Sequence, residues 1–236
     1  MSQLLVIALV SWLAGIAAFI GGFFAKIEGS SETEAKREVI HGIVAFGGGI
    51  LLAAVAFALV PEGMAVLSVG GLALSFCAGG LIFCAMDAGI SRGGGSRAQF
   101  MAMLLDFIPE AIALGALFAQ SKSTGMLLAL FIGAQNLPEG FNAHRETVAA
   151  GATERNSLIA LLAISLLGPL AACSGFLFLR HQPTLTACIM SAAGGGILYL
   201  VFQDIAPQSK LKRHWTPPLG AVFGFVVGMI GKKLLG

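Results

Sequence analysis

Residues 42 to 61 read GIVAFGGGILLAAVAFALVP, with no charged side chain among them. A helix of about 20 apolar residues crosses the hydrocarbon of a bilayer, and a run of that kind has no ordinary place in a water-soluble core. The rest of the chain repeats the pattern. Breaks at charged or Gly/Pro/Ser clusters divide it into eight candidate membrane helices, at about 4–25, 40–62, 67–89, 99–120, 124–145, 157–180, 184–207 and 216–235. Of the 236 residues, 57% are hydrophobic and 11% charged, and the mean hydropathy is +0.89. The expectation is an all-α integral membrane protein, one transmembrane domain over residues 1–236, with no soluble domain. The 32 glycines suit membrane helices that pack backbone to backbone.

The start, MSQLLVIALVSWLAG, lacks a basic leader region and reads as an uncleaved first span. Ten of the 14 lysines and arginines fall in the loops after helices one, three, five and seven. The positive-inside rule makes that side cytoplasmic and puts both termini outside. The segment KIEGSSETEAKRE is an exposed charged loop, and SRGGGSRA, residues 91 to 98, a flexible linker. A net charge of +2 points to no nucleic-acid partner; membrane lipid is the expected surrounding. Cys77, Cys84, Cys173 and Cys188 show no C-x-x-C spacing and read as small buried hydrophobes.

Two internal echoes organise the chain. GGGIL occurs at 47–51 and again at 194–198, each followed by a proline, Pro61 or Pro207. Helices two and seven run in opposite directions, so the echo is an inverted repeat, in a 3+2+3 arrangement of the kind used by secondary transporters. DFIPEA at 106–111 similarly pairs with QNLPEG at 135–140 on helices four and five. The GxxxGxxxG stripe at Gly220, Gly224 and Gly228 reads as a close helix contact or a dimer interface.

Asp106 and Glu110 are four residues apart, as are Gln135 and Glu139, so each pair shares a helix face near mid-span. Three ionised carboxylates facing lipid would cost about 8 to 10 kcal/mol together. No lysine or arginine lies at that depth to neutralise them, which leaves protons or a bound cation. Pro109 and Pro138 free carbonyls at Leu105 and Ala134, and broken helices of this kind hold transporter ion sites. Asn136 and Asn142 are secondary metal candidates on helix five. Gln203 and Asp204, with His41, His144 and Glu146, form an exit pathway of transient ligands or reach interfacial water; the sequence leaves both open.

With the Pro-Glu motifs in place, the chain resembles the Zrt-, Irt-like (ZIP) divalent-metal transporters, most closely their bacterial members. QNLPEG matches the family pattern on helix five fully. The resemblance implies a multi-pass protein of a bacterial inner membrane, an elevator-type movement of helices one, four, five and six, a homodimer, and a metal site at midplane. Its first metal would use Asp106, Glu110, Gln135 and Glu139. Its second would use Phe107, Asn136 and Gly168 with the two glutamates, but a phenyl ring and a hydrogen atom cannot ligate. The second site is therefore expected to be dismantled, leaving Asn136 a structural remnant. Without histidine the remaining site is all-oxygen and less selective for zinc, so Zn, Mn, Fe or Cd would be the transported substrate, with no organic cofactor. Metal binding should weaken as pH falls, because protons compete for the same carboxylates.

A non-transporting ZIP-like sensor or scaffold is the competing expectation. An intramembrane hydrolase is not expected, since neither H-E-x-x-H nor G-x-S-x-G occurs.

Overall fold

The computed structural model describes residues 2–29, 33–93, 96–212 and 214–235. The centres of the charged loop and of the glycine linker, with Arg213, lie outside the described residues. Among the described residues the chain forms eight helical rods and no strand: α1 (Gln3–Glu28), α2 (Glu34–Val66), α3 (Val69–Gly93), α4 (Ser96–Gln120), α5 (Lys122–Ala149), α6 (Glu154–Leu179), α7 (Pro183–Gln208) and α8 (Leu219–Leu235). Five of them, α1, α2, α3, α6 and α7, are long and apolar enough to cross a membrane. Local chemistry sets several starts: the hydroxyls of Ser2, Thr33, Ser121 and Thr153 each accept from a backbone N–H three residues on. The segment expected as a linker is largely helical, because α3 continues to Gly93 and α4 resumes at Ser96.

Prolines are handled in two ways. In α2 and α7 the turn before the proline widens into π-helix, over Val55–Leu59 ahead of Pro61 and over Val201–Ile205 ahead of Pro207. A π-turn absorbs the clash between a proline ring and the carbonyl four residues back. In α4 and α5, by contrast, α-helix runs on through Pro109 and Pro138. The ladder is thus disturbed in α2 and α7, not in α4 and α5, where breaks at Pro109 and Pro138 were expected. α6 has its own break at Leu166, where Pro169 cannot supply the bond that would hold Ser165 in the helix.

Glycines divide the rods into two groups. A methyl group on Gly140 would collide with the Ala18 carbonyl, and one on Gly21 with that of Leu137, so α1 and α5 touch at the backbone. Gly115 and Gly175 bring α4 and α6 together likewise, against Ala172 and Ile112. In the other group, Gly49 and Gly224 join α2 to α8 and Gly79 and Gly195 join α3 to α7, while these two pairs meet each other through side chains, as where Gly48 meets Ile205 and Gly63 meets Leu72. Among the described glycines, none meets backbone across the divide. There Gly47 of α2 meets the Pro138 ring of α5, and Gly231 of α8 meets the Leu130 and Leu127 side chains. The GxxxGxxxG stripe is spent on α2 of the same chain, where Gly220, Gly224 and Gly228 lie against Gly42, Phe46 and Ala53.

The cysteines of α3 depart from expectation. Cys77 and Cys84 are exposed, while Cys173 and Cys188 are half-buried. α3 is the outlying rod: one stripe packs on α7, and Leu74 and Leu81 are 74% and 71% exposed on the rest. An apolar surface of that kind is at home against acyl chains.

Candidate metal centre

α4 and α5 lie side by side and turn their Pro-Glu segments toward each other. Asp106, Glu110 and Gln135 are buried, and Glu139 is half-buried at the edge of the same cluster. The Gln135 amide nitrogen donates to Glu110 Oε2 across 2.6 Å. Glu110 lies in the electrostatic field of both Asp106 and Glu139. Asp106 Oδ1, Glu110 Oε1 and Gln135 Oε1 are three of the four described buried side-chain atoms that lack a hydrogen-bond partner, Thr147 Oγ1 being the fourth. A buried acceptor without a partner is costly, and three from one cluster mark a place that suits a cation.

Asp106 and Glu139 also line a cavity of about 100 Å³ between α2, α4, α5 and α7. Val44, Gly47 and Leu51 form its α2 wall, and Asn142, Asp204 and Gln208 continue it toward the ends of α5 and α7. The cavity therefore sits on the divide between the two helix groups. Among the described residues, no three His, Cys, Asp or Glu side chains are gathered closely enough to chelate a metal as they stand. The cluster comprises acids spread around an amide, with one carboxylate oxygen engaged by that amide's N–H.

The secondary candidates separate. Asn136 is buried and its amide nitrogen donates to the Ala14 carbonyl of α1 across 2.9 Å, away from the acids. Asn142 lines the cavity and donates to both Glu146 Oε1 and Gln208 Oε1. Of the expected exit residues, Asp204 lines the cavity, carried there by the α7 π-turn. Gln203 is exposed, and it and His144 are not in the cavity wall. His144 is buried against α6, its Nδ1 3.0 Å from the Ser157 hydroxyl, because a step of two residues from Asn142, about 200° around α5, takes it to the opposite face. His41 reaches the Gln208 carbonyl.

Phe107 and Gly168 meet. The buried Phe107 ring lies against Gly168 of α6 and Gly15 of α1, so that a methyl group on Gly168 would come within 2.7 Å of the ring tip. The ring occupies the space that a side chain at 168 would need.

Sequence reasoning passed over Gln208. The signal was present, since it follows Pro207 as Glu62 follows Pro61, Glu110 follows Pro109 and Glu139 follows Pro138.

No family model matches the chain. Among curated proteins, the zinc transporter GufA of Myxococcus xanthus is 32% identical over 140 residues, which is 58% of this chain and 54% of that protein. The chain thus spans about half the length of the curated relative it matches. That likeness, with the five long apolar helices, supports a multi-pass membrane protein.

Proposed function

We propose that this divergent ZIP-family chain carries one divalent transition-metal cation at a time toward the cytoplasm, with Asp106, Glu110, Gln135 and Glu139 as its ligands. The observation that carries the reading is the set of partnerless buried oxygens on Asp106, Glu110 and Gln135. They are three hard donors that no described protein group satisfies, and a relative is named as a zinc transporter. In this reading all eight rods cross a bacterial inner membrane with both termini outside, and the protein is not an enzyme.

Gln135 gives the site two settings. With its nitrogen toward Glu110, it quenches one carboxylate oxygen. A half-turn of the amide exchanges that N–H for Oε1, which faces a cation instead. Three carboxylates and one amide oxygen form a hard donor set that accepts Zn, Mn, Fe or Cd with little preference for zinc. Phe107 confines the protein to one cation, since it brings no donor itself and its ring fills the space that a donor side chain at position 168 would need.

An elevator-type movement suits the pattern of contacts. The group holding α1, α4, α5 and α6 is glued internally by glycine on backbone, whereas it meets α2, α7 and α8 through side chains alone at the described glycines. Side-chain seams can re-form in a second register; backbone seams resist it.

The test is reconstitution into liposomes loaded with a metal-sensitive dye. Metal-dependent signal that Glu139→Ala or Glu110→Ala abolishes, in protein that still folds, is the expected result. Saturable binding without flux would instead favour a non-transporting sensor, a reading prompted by the altered residues Phe107 and Gly168. Anomalous diffraction from metal-soaked crystals should give one peak among the four ligands; two adjacent peaks would contradict the single-cation claim.

A further inference from the structure

At the inner end of the cavity a single amide links the two helix groups. Glu139, Asn142 and Glu146 follow one another at i, i+3 and i+7 on α5, so they share a face that leads from the acids toward the α5 C-terminus. Asn142 Nδ2 donates to Glu146 Oε1 across 2.9 Å and to Gln208 Oε1 across 3.1 Å. Both of its N–H groups are used. Gln208 belongs to the other group, at the end of α7 beyond the π-turn and Pro207, and its backbone carbonyl is held there by His41 of α2.

The Asn142–Gln208 bond therefore crosses the divide at the wall of the cavity that holds Asp106 and Glu139. Among the described residues, one other side-chain pair ties the groups together, Lys36 with Glu28. That pair flanks the loop joining α1 to α2, where the chain itself already links the groups.

We propose that Asn142 and Gln208 form the inner gate of the cation path, a positioning pair that parts each time a cation passes between the acidic cluster and the α5–α7 end. The inference rests on the cation reading of the site. Two uncharged amides suit the task. They close a route by a directed bond, yet neither adds charge that would hold a departing cation. The same Asn142 amide keeps Glu146 engaged, so one carboxylate beside the pair is partly quenched while the gate is shut, and Asp204 of the cavity wall is the other acid near it.

A gate changes rates and leaves equilibrium alone, whereas a ligand changes equilibrium. Purified full-length protein is mixed in a stopped-flow instrument with Zn(II) or Cd(II), then with a chelator. Gln208→Ala should accelerate association and dissociation alike by about five-fold, the factor that corresponds to one neutral hydrogen bond of about 1 kcal/mol, with Kd unchanged. Asn142→Ala should accelerate exchange by the same factor, and the double variant should go no faster, because one bond has been removed either way. The gate is overturned if Gln208→Ala weakens equilibrium binding, or if exchange in both directions matches the unaltered protein. Flux through liposomes is scored separately on the unaltered chain. Gated binding without flux would overturn transport and leave the gate standing; flux with ungated binding would do the reverse.

Discussion

Glu139 and Gly140 are neighbours on α5 and belong to different kinds of seam. Glu139 faces the cavity on the divide between helix groups, where side chains meet side chains. Gly140 faces α1 inside its own group, where there is no room for a single carbon next to the Ala18 carbonyl. One seam is closed to any added atom, and the other is made of side chains. Adjacent substitutions should therefore fail for opposite reasons.

The largest effect is expected at the acids. Glu139→Ala should leave the protein folded by size-exclusion chromatography, yet lower metal flux about 100-fold or more, the upper range for disturbing a metal site. Gly140→Leu should do the converse and overpack the α1–α5 seam, at a cost of about 1–3 kcal/mol or more, lowering the thermal midpoint of detergent-solubilised protein. Gly47→Ala, whose methyl would press on the Pro138 ring across the divide, should slow transport with little loss of stability; a large fall in the thermal midpoint would contradict the distinction between seams.

Smaller effects test the ring between Phe107 and Gly168. Gly168→Ala should destabilise the protein, and the Phe107→Ala background should relieve it, with a coupling of about 1–2 kcal/mol in a double-mutant cycle. Additive changes would mean that the two positions do not share one space.

The smallest effect lies outside the bilayer, where His214 of the α7–α8 connection meets Glu34 and Glu38 at the start of α2. The hydrogen bond that His214 donates to Glu34, and then the charge of Glu38, raise the His214 pKa above its ordinary 6.5 against some desolvation. A raised histidine contributes stability that is fully present below pH 6.5 and lost as pH rises through the folded value. The thermal midpoint of His214→Gln should accordingly fall furthest below that of the unaltered chain in mild acid and converge with it in mild alkali.

The helical class was legible because hydropathy decides it, and the acids were legible because charge at mid-span is conspicuous. Other features were not. The π-turns of α2 and α7 arise from how a proline ring is accommodated, and the same ring leaves α4 and α5 as regular helix. Composition placed His144 with the exit residues, but two residues of helix, about 200° from Asn142, send it to Ser157. Cys77 and Cys84 looked buried because they are apolar, and in a membrane chain an apolar side chain is equally stable facing outward. Gln208 is an ordinary polar residue at a helix end until the neighbouring α5 is known.

Pro138 lines the cation cavity on one side and, on the other, an apolar cleft of about 540 Å³ bordered by Phe24, Ile43, Phe46, Phe141 and Phe223. It is the residue the two linings share, and its ring lies against Gly47 where α2 and α5 cross. On the proposed reading, that ring lies between the cation's surroundings and an apolar space. Shaving it to alanine would bring hydrated and greasy compartments into contact, so this proline acts as a dielectric partition as well as a bend in the chain.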